Sequence, residues 1–145
     1  EVPAGLSPME TIERIKGQGG LVSIPHPFDR MRRSVITAPA LQEILPHADI
    51  IEAFNARNTF ASANQRAMDL ARERGLLMSA VSDAHTPGEL GRTYVEMPEF
   101  DGTPEGFKRA LAEGTIVGRR MSPLIHVLTT FTKLKKRFFG AGRRL

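Results

Sequence analysis

Ser82-Asp83-Ala84-His85 follows directly on the apolar run Leu76-Leu77-Met78-Ser79-Ala80-Val81. Side chains two positions apart on an extended backbone share a side, so Asp83 and His85 set a hard carboxylate oxygen beside an imidazole nitrogen. That donor pair suits a shared divalent metal ion. A second site signal lies upstream, where Gly20-Leu21-Val22-Ser23-Ile24 runs into Pro25-His26-Pro27-Phe28. There a His emerges just past a strand end, on a backbone stiffened by flanking prolines.

The elements that must position these residues alternate along the chain. Ser7-Pro8-Met9-Glu10 reads as a capping box opening a helix that carries Met9, Ile12 and Ile15 on one face and stops near Lys16 at Gly17 or Gly19. A strand over residues 21–24 follows, then a loop to about residue 38, a short helix over 39–45 and a strand over 49–54 ending at Asn55. Residues 60–74 form the clearest helix, Ala-rich and closed by Gly75, and the strand over 76–81 comes next. Residues 93–97 alternate like an edge strand, Thr103-Pro104-Glu105 opens a helix ending at Gly114, and 115–117 reads as a short last strand. Ser122-Pro123 then begins a helix with Leu124, Val127, Leu128, Phe131, Leu134 and Phe138 at helical spacing. Helix and strand in alternation imply an α/β fold with a parallel sheet under covering helices. In such folds the loops after the strands share one face. His26, Asn55, Asp83 and His85 all fall at or just after a strand end, so topology alone brings them to one rim.

Each residue has a plainer reading. Asp83 before Thr86-Pro87-Gly88 serves as turn chemistry in many chains, and local sequence alone favours that role. His26 between prolines packs in a rigid loop unless Asp83 and His85 stand beside it. Glu52 reads equally as a hydrogen-bonded strand residue or a site-lining carboxylate, and Asn55 as a turn former or a site-lining amide. Gly88 and Gly91 read as turn residues. His47 reads as a surface loop residue and His126 as the flank of the last helix.

Composition narrows the function classes. The chain has 145 residues, 41% hydrophobic and 25% charged, the makeup of one soluble domain with a modest core. It has no cysteine, which removes disulfides and thiolate ligands and leaves His, Asp, Glu and Asn as donors, in keeping with a cytoplasmic location. No signal peptide is visible, and no apolar run nears the roughly 18 residues of a membrane span. The net charge of +4 is local: Lys133, Lys135, Lys136, Arg137, Arg143 and Arg144 occupy a tail without acids, leaving residues 1–132 at −2. The basic pI is therefore no argument for nucleic-acid binding by the body of the chain.

Three segments in order, Ile24-Pro25-His26-Pro27-Phe28-Asp29, Ile51-Glu52-Ala53-Phe54-Asn55-Ala56-Arg57 and Val81-Ser82-Asp83-Ala84-His85-Thr86-Pro87-Gly88-Glu89-Leu90-Gly91, resemble the later motifs of the PHP family, the polymerase and histidinol phosphatase domain. The resemblance spans roughly residues 5–118. It implies a distorted seven-stranded β/α barrel that binds two or three divalent ions, commonly zinc, manganese or iron, and hydrolyses phosphoesters. It also implies metal roles for His26, Asp83 and His85, with Asp83 and His85 at the catalytic centre. Arg30 and Arg92, close to two of the motifs, are the candidates for holding substrate phosphate through a planar fork of donors, although Arg30 competes with Arg32 and Arg33 in a basic loop. The family's opening HxH motif and its further ligands have no counterpart here. The chain therefore reads as the C-terminal part of such a barrel over residues 1–120, followed by an amphipathic helix and basic tail over 121–145.

From that reading follow weak metal binding and little turnover by this chain alone, on a small phosphoester or nucleotide substrate. The strand at 21–24 would expose an unpaired edge, which the missing N-terminal half or self-association would cover. A non-catalytic alternative is an interaction fragment whose basic tail binds nucleic acid or an anionic membrane.

Overall fold

A computed structural model of the protein describes residues 1–29 and 35–119. Arg30, Arg32, Arg33, His126, the helix expected from Ser122, the basic tail and the expected boundary at 120/121 lie outside the described residues. The interaction reading rests on that tail and so also lies outside the described residues.

Helix α1 spans Pro8–Gly17 and begins as its sequence requires. Ser7 Oγ accepts from Glu10 N at 3.3 Å and Glu10 Oε2 accepts from Ser7 N at 2.8 Å, so the capping box closes in both directions. Strand β1 is only Ser23–Ile24, shorter than the expected 21–24. Its approach is held differently: Val22 N donates to Asp49 Oδ2 at 2.8 Å, while Val22 O accepts from Asp49 N and Ile50 N. Helix α2 runs Ala38–Ile44 under a Thr37 cap, and Leu45–His47 tighten into a 3-10 turn that leaves His47 exposed. Strand β2 (Ile50–Asn55), helix α3 (Ala61–Arg74) and strand β3 (Leu77–Val81) follow. Gly75, at φ 65°, closes α3 in the left-handed conformation that glycine adopts without cost.

These strands form a parallel sheet in the order β1-β2-β3. Ser23 lies opposite Ile50, and Ile50 opposite Leu77. The pairing of β2 with β3 slips between Glu52 and Phe54, where Ala53 is an extra residue on β2. The later elements do not extend this sheet. Strand β4 (Thr93–Glu96), helix α4 (Pro104–Ala112) and strand β5 (Thr115–Gly118) follow, and β4 pairs antiparallel with β5 in a separate ribbon. The expected α/β class is present; among the described residues it consists of a three-stranded parallel sheet with this ribbon.

The core lies between the sheet and its helices. Ile12, Val22, Ile24, Leu41, Ile44, Leu45, Ile51 and Ala71 are buried together, and Ile51 is wholly enclosed. Ala63, Ala67 and Ala71 are also buried, so α3 presents small side chains inward and packs against β2. The resulting stiff platform ends, at the carboxyl termini of β1, β2 and β3, in the three loops that carry the polar residues. Among the described residues no helix is long and apolar enough to cross a membrane.

Candidate functional site

The site begins with a local irregularity in β2. Glu52 and Asn55 are three positions apart, and on a regular strand they would face opposite sides of the sheet. The extra residue at Ala53 changes the phase between them. Asn55 Nδ2 donates to Glu52 Oε1 at 2.8 Å, which places both on the same side. Glu52 Oε1 also accepts from His26 N at 3.1 Å, tying β2 to the loop after β1. Asn55 Nδ2 further donates to Asp83 Oδ2 at 3.1 Å, reaching the loop after β3. Four of the residues expected at the site are thereby joined in one polar chain.

Asn55 is fully buried and fully engaged. Its Oδ1 accepts from Arg57 N at 2.8 Å, and its main chain exchanges hydrogen bonds with Asn64, on α3 (N to Oδ1 3.1 Å, Nδ2 to O 3.2 Å). Asn64 Oδ1 also accepts from Asn58 Nδ2. The amide ladder locks the loop after β2 to the first turn of α3.

His26 and Asp83 sit in the left-handed region, at φ 25° and φ 50°, where residues other than glycine are uncommon. Both follow the end of a parallel strand, and backbone strain of this kind concentrates at functional loops. His26 Nδ1 is buried and, among the described residues, has no hydrogen-bond partner. An imidazole nitrogen without a partner carries a desolvation cost that a metal ion or a bound ligand would offset.

Beyond β3 the chain turns on Asp83. His85 Nδ1 lies 2.8 Å from Asp83 O and 3.8 Å from Asp83 Oδ1. With Nδ1 donating to that carbonyl, the lone pair of a neutral imidazole falls on Nε2. Glu89 then gathers the loop. Its Oε2 accepts from His85 N and from Thr86 N, the latter at 2.8 Å, and its Oε1 accepts from Arg57 Nη1 at 2.7 Å. The Arg57 and Glu89 side chains are only 4% and 2% exposed, so the pair is an internal one. Burial alone would raise the Glu89 carboxyl, but the His85 and Thr86 amides and the Arg57 charge outweigh it and hold it below its ordinary value.

The remaining expectations fare differently. Arg92 is exposed on the turn before β4, and among the described residues its guanidinium is not tied to His26, Asp83 or His85. Arg30 lies outside the described residues. His26, Asp83 and His85 border one rim, yet among the described residues no three His, Asp or Glu side chains are grouped closely enough to hold a metal by themselves. Sequence reasoning assigned no role to Arg57, Glu89, Asn64 or the buried Asp29. The signal for Arg57 and Glu89 was present, since both stand inside the quoted motifs, but only the fold brings them into contact.

A cleft of about 390 Å³ opens beside Asp83, with Val81, Thr93, Tyr94 and Phe107 also on its walls. A larger one of about 600 Å³ lies at the other ends of the strands, bordered by Asp49, Arg74 and Lys108. There Asp49 is already bonded to Lys16, Lys108 and Val22 N.

The class defined by this fold and rim is an α/β protein with a polar site beyond the carboxyl ends of a parallel sheet. Residues 61–116 match the family model described as PHP-associated. This match supports the resemblance to the PHP family that the motifs carry. It is similar, at 35% identity over 104 residues, to the uncharacterized protein MJ0417 of Methanocaldococcus jannaschii, an alignment covering 70% of this chain and 44% of that protein. The chain thus spans less than half the length of this curated relative. Among solved structures, PsfC from Pseudomonas syringae PB-5123 superposes with a TM-score of 0.58 at 19% identity, over 92% of this chain and 54% of PsfC. A Bifidobacterium adolescentis protein provisionally described as a metal-dependent phosphoesterase superposes with a TM-score of 0.49 at 20% identity, over 74% of this chain and 37% of that one. At its identity the PsfC superposition speaks to fold alone.

Proposed function

We propose that this chain supplies one side of the active site of a metal-dependent phosphoesterase, with His26, Asp83 and His85 as its metal-facing donors. The observation that carries the reading is the buried His26 Nδ1, without a partner among the described residues, on the rim where Glu52, Asn55 and Asp83 are already linked. By type, if not by their spacing among the described residues, the donors suit a divalent cation such as zinc, manganese or iron: two imidazoles and a carboxylate are borderline to hard ligands. Three donors leave the coordination incomplete, and in this reading the rest of a seven-stranded barrel provides the others. That remainder, or a second copy of the chain, would pair with the edge of β1 that faces away from β2.

When bound, the metal supplies the positive charge that acidifies a water and neutralises phosphoryl oxygens. The chain's own residues orient and hold. Asn55 fixes the Asp83 carboxylate by donating to Oδ2. Glu52 holds the main chain at His26. His85, with its lone pair on Nε2, serves as ligand or as proton acceptor. Arg92 and Arg30 would bind phosphate oxygens once substrate arrives. The cleft beside Asp83 offers room for the organic part of a small phosphoester or nucleotide.

The test assays phosphatase and phosphodiesterase activity with manganese or zinc, using this chain alone and mixed with a separately made N-terminal PHP half. Activity on mixing, absent from the chain alone and abolished by Asp83→Ala, is the expected result. Inactivity in both arms, together with metal binding that Asp83→Ala leaves unchanged, would overturn the proposal.

A further inference from the structure

The Arg57–Glu89 pair belongs to neither a strand interface nor the apolar core. It spans the loop after β2 and the turn after β3, its members 32 positions apart, and both side chains are almost completely enclosed. Burying two charges costs desolvation energy, and an apolar pair of similar volume stabilises a fold as well or better. Such a pair is therefore poorly explained by stability alone. Its other contacts indicate what it does. The carboxylate places one oxygen on Arg57 and the other on two consecutive amides, His85 N and Thr86 N. Those amides fix the backbone immediately after Asp83, whose φ of 50° the segment must sustain. With the main chain held there, His85 Nδ1 meets Asp83 O at 2.8 Å, the contact that selects the tautomer. Arg57 is in turn fixed by its own amide, which donates to Asn55 Oδ1, so the clamp starts from the residue that also orients Asp83.

We infer that Arg57 and Glu89 are positioning residues: their buried ion pair holds the 83–86 turn so that His85 keeps Nδ1 on the Asp83 carbonyl and presents Nε2 to the site. The inference rests on the proposed metal site for its consequence, but the tautomer it assigns belongs to the metal-free protein. Outer partners that orient a ligating imidazole typically govern about 10–100-fold in metal affinity.

The experiment uses the full chain and three variants, Glu89→Gln, Arg57→Lys and His85→Ala. In metal-free protein, nitrogen chemical shifts of the His85 ring report the tautomer; in parallel, calorimetric titration with zinc reports affinity, and urea unfolding reports stability. Glu89→Gln is expected to mix the His85 tautomers and to weaken zinc binding by about 10-fold or more. Arg57→Lys keeps the buried cation and the fold, and is expected to move both readouts in the same direction by a smaller factor, about two- to threefold. Loss of stability with the native tautomer and native zinc affinity in either folded variant would overturn the inference by reducing the pair to a structural one. If His85→Ala leaves zinc binding unchanged, the metal site itself fails and takes the affinity consequence with it. If His85→Ala removes binding while Glu89→Gln does not weaken it, the site stands and the positioning role is overturned.

Discussion

Asn55 Nδ2 donates to Asp83 Oδ2 at 3.1 Å while also donating to Glu52 Oε1 at 2.8 Å, so a single neutral amide separates a carboxylate of β2 from one in the loop after β3. Like charges brought together oppose folding unless a donor or cation stands between them. The amide satisfies both acceptors without adding charge.

Replacing Asn55 tests that arrangement. Asn55→Ala removes both bonds and leaves buried acceptors unmatched, an expected loss of about 1–3 kcal/mol in urea unfolding. Asn55→Asp keeps the shape but adds a third negative group between Glu52 and Asp83. In EDTA it is expected to be at least as destabilising as the alanine variant. On addition of manganese it should recover part of that loss, whereas Asn55→Ala should recover less. Equal unfolding midpoints for the two variants in both conditions would mean that the carboxylates do not sense one another through residue 55.

Acid unfolding should be governed partly by two carboxylates at opposite ends of the sheet. Burial pushes Asp49 upward, but Lys16, the Val22 amide and Lys108 outweigh it and lower its pKa, and Glu89 is lowered against burial by the His85 and Thr86 amides and Arg57. A carboxyl with a lower pKa folded than unfolded contributes stability above the unfolded value, and loses it as pH falls through the folded one. Stability is therefore expected to be flat from pH 7 to about 5, then to fall below about pH 4.5, where unfolded carboxyls begin to take up protons. Asp49→Asn and Glu89→Gln should each lower the neutral plateau and flatten the acid limb. An unchanged acid limb in urea midpoints measured from pH 7 to 3 would refute the assignment to these groups.

Much of this architecture is legible from residue types, because local rules decide it. The Ser7 capping box, the end of α3 at Gly75 and the parallel pairing of β1, β2 and β3 all follow from short-range chemistry or the alternation of helix and strand. The gathering of His26, Asn55 and Asp83 at one rim follows from topology. Other features depend on contacts distant in sequence. Nothing in Ile50-Ile51-Glu52-Ala53-Phe54-Asn55 announces the slip at Ala53, since it is settled by how β2 pairs with β3. Arg57 and Glu89 meet only when the loops after β2 and β3 close on each other. The antiparallel ribbon of β4 and β5 was equally hidden, because short alternating segments do not declare their partners.

His26 offers the sharpest separation of stability from function. Its φ of 25° is disfavoured for a side chain, and its buried Nδ1 has no partner among the described residues. Both features cost free energy in the metal-free fold, about 1–3 kcal/mol for a strained backbone of this kind. Asparagine tolerates the left-handed region better than most residues and does not bring a buried ring nitrogen. His26→Asn is therefore expected to leave stability in EDTA unchanged or raised, by up to about 1 kcal/mol. The same variant is expected to lose most of the chain's affinity for zinc in calorimetric titration. Strain retained at a position where a better-fitting residue exists is intelligible if the imidazole is kept for a ligand. A loss of more than about 2 kcal/mol with unaltered zinc affinity would instead make His26 a packing residue, since truncating a well-packed side chain costs that much or more.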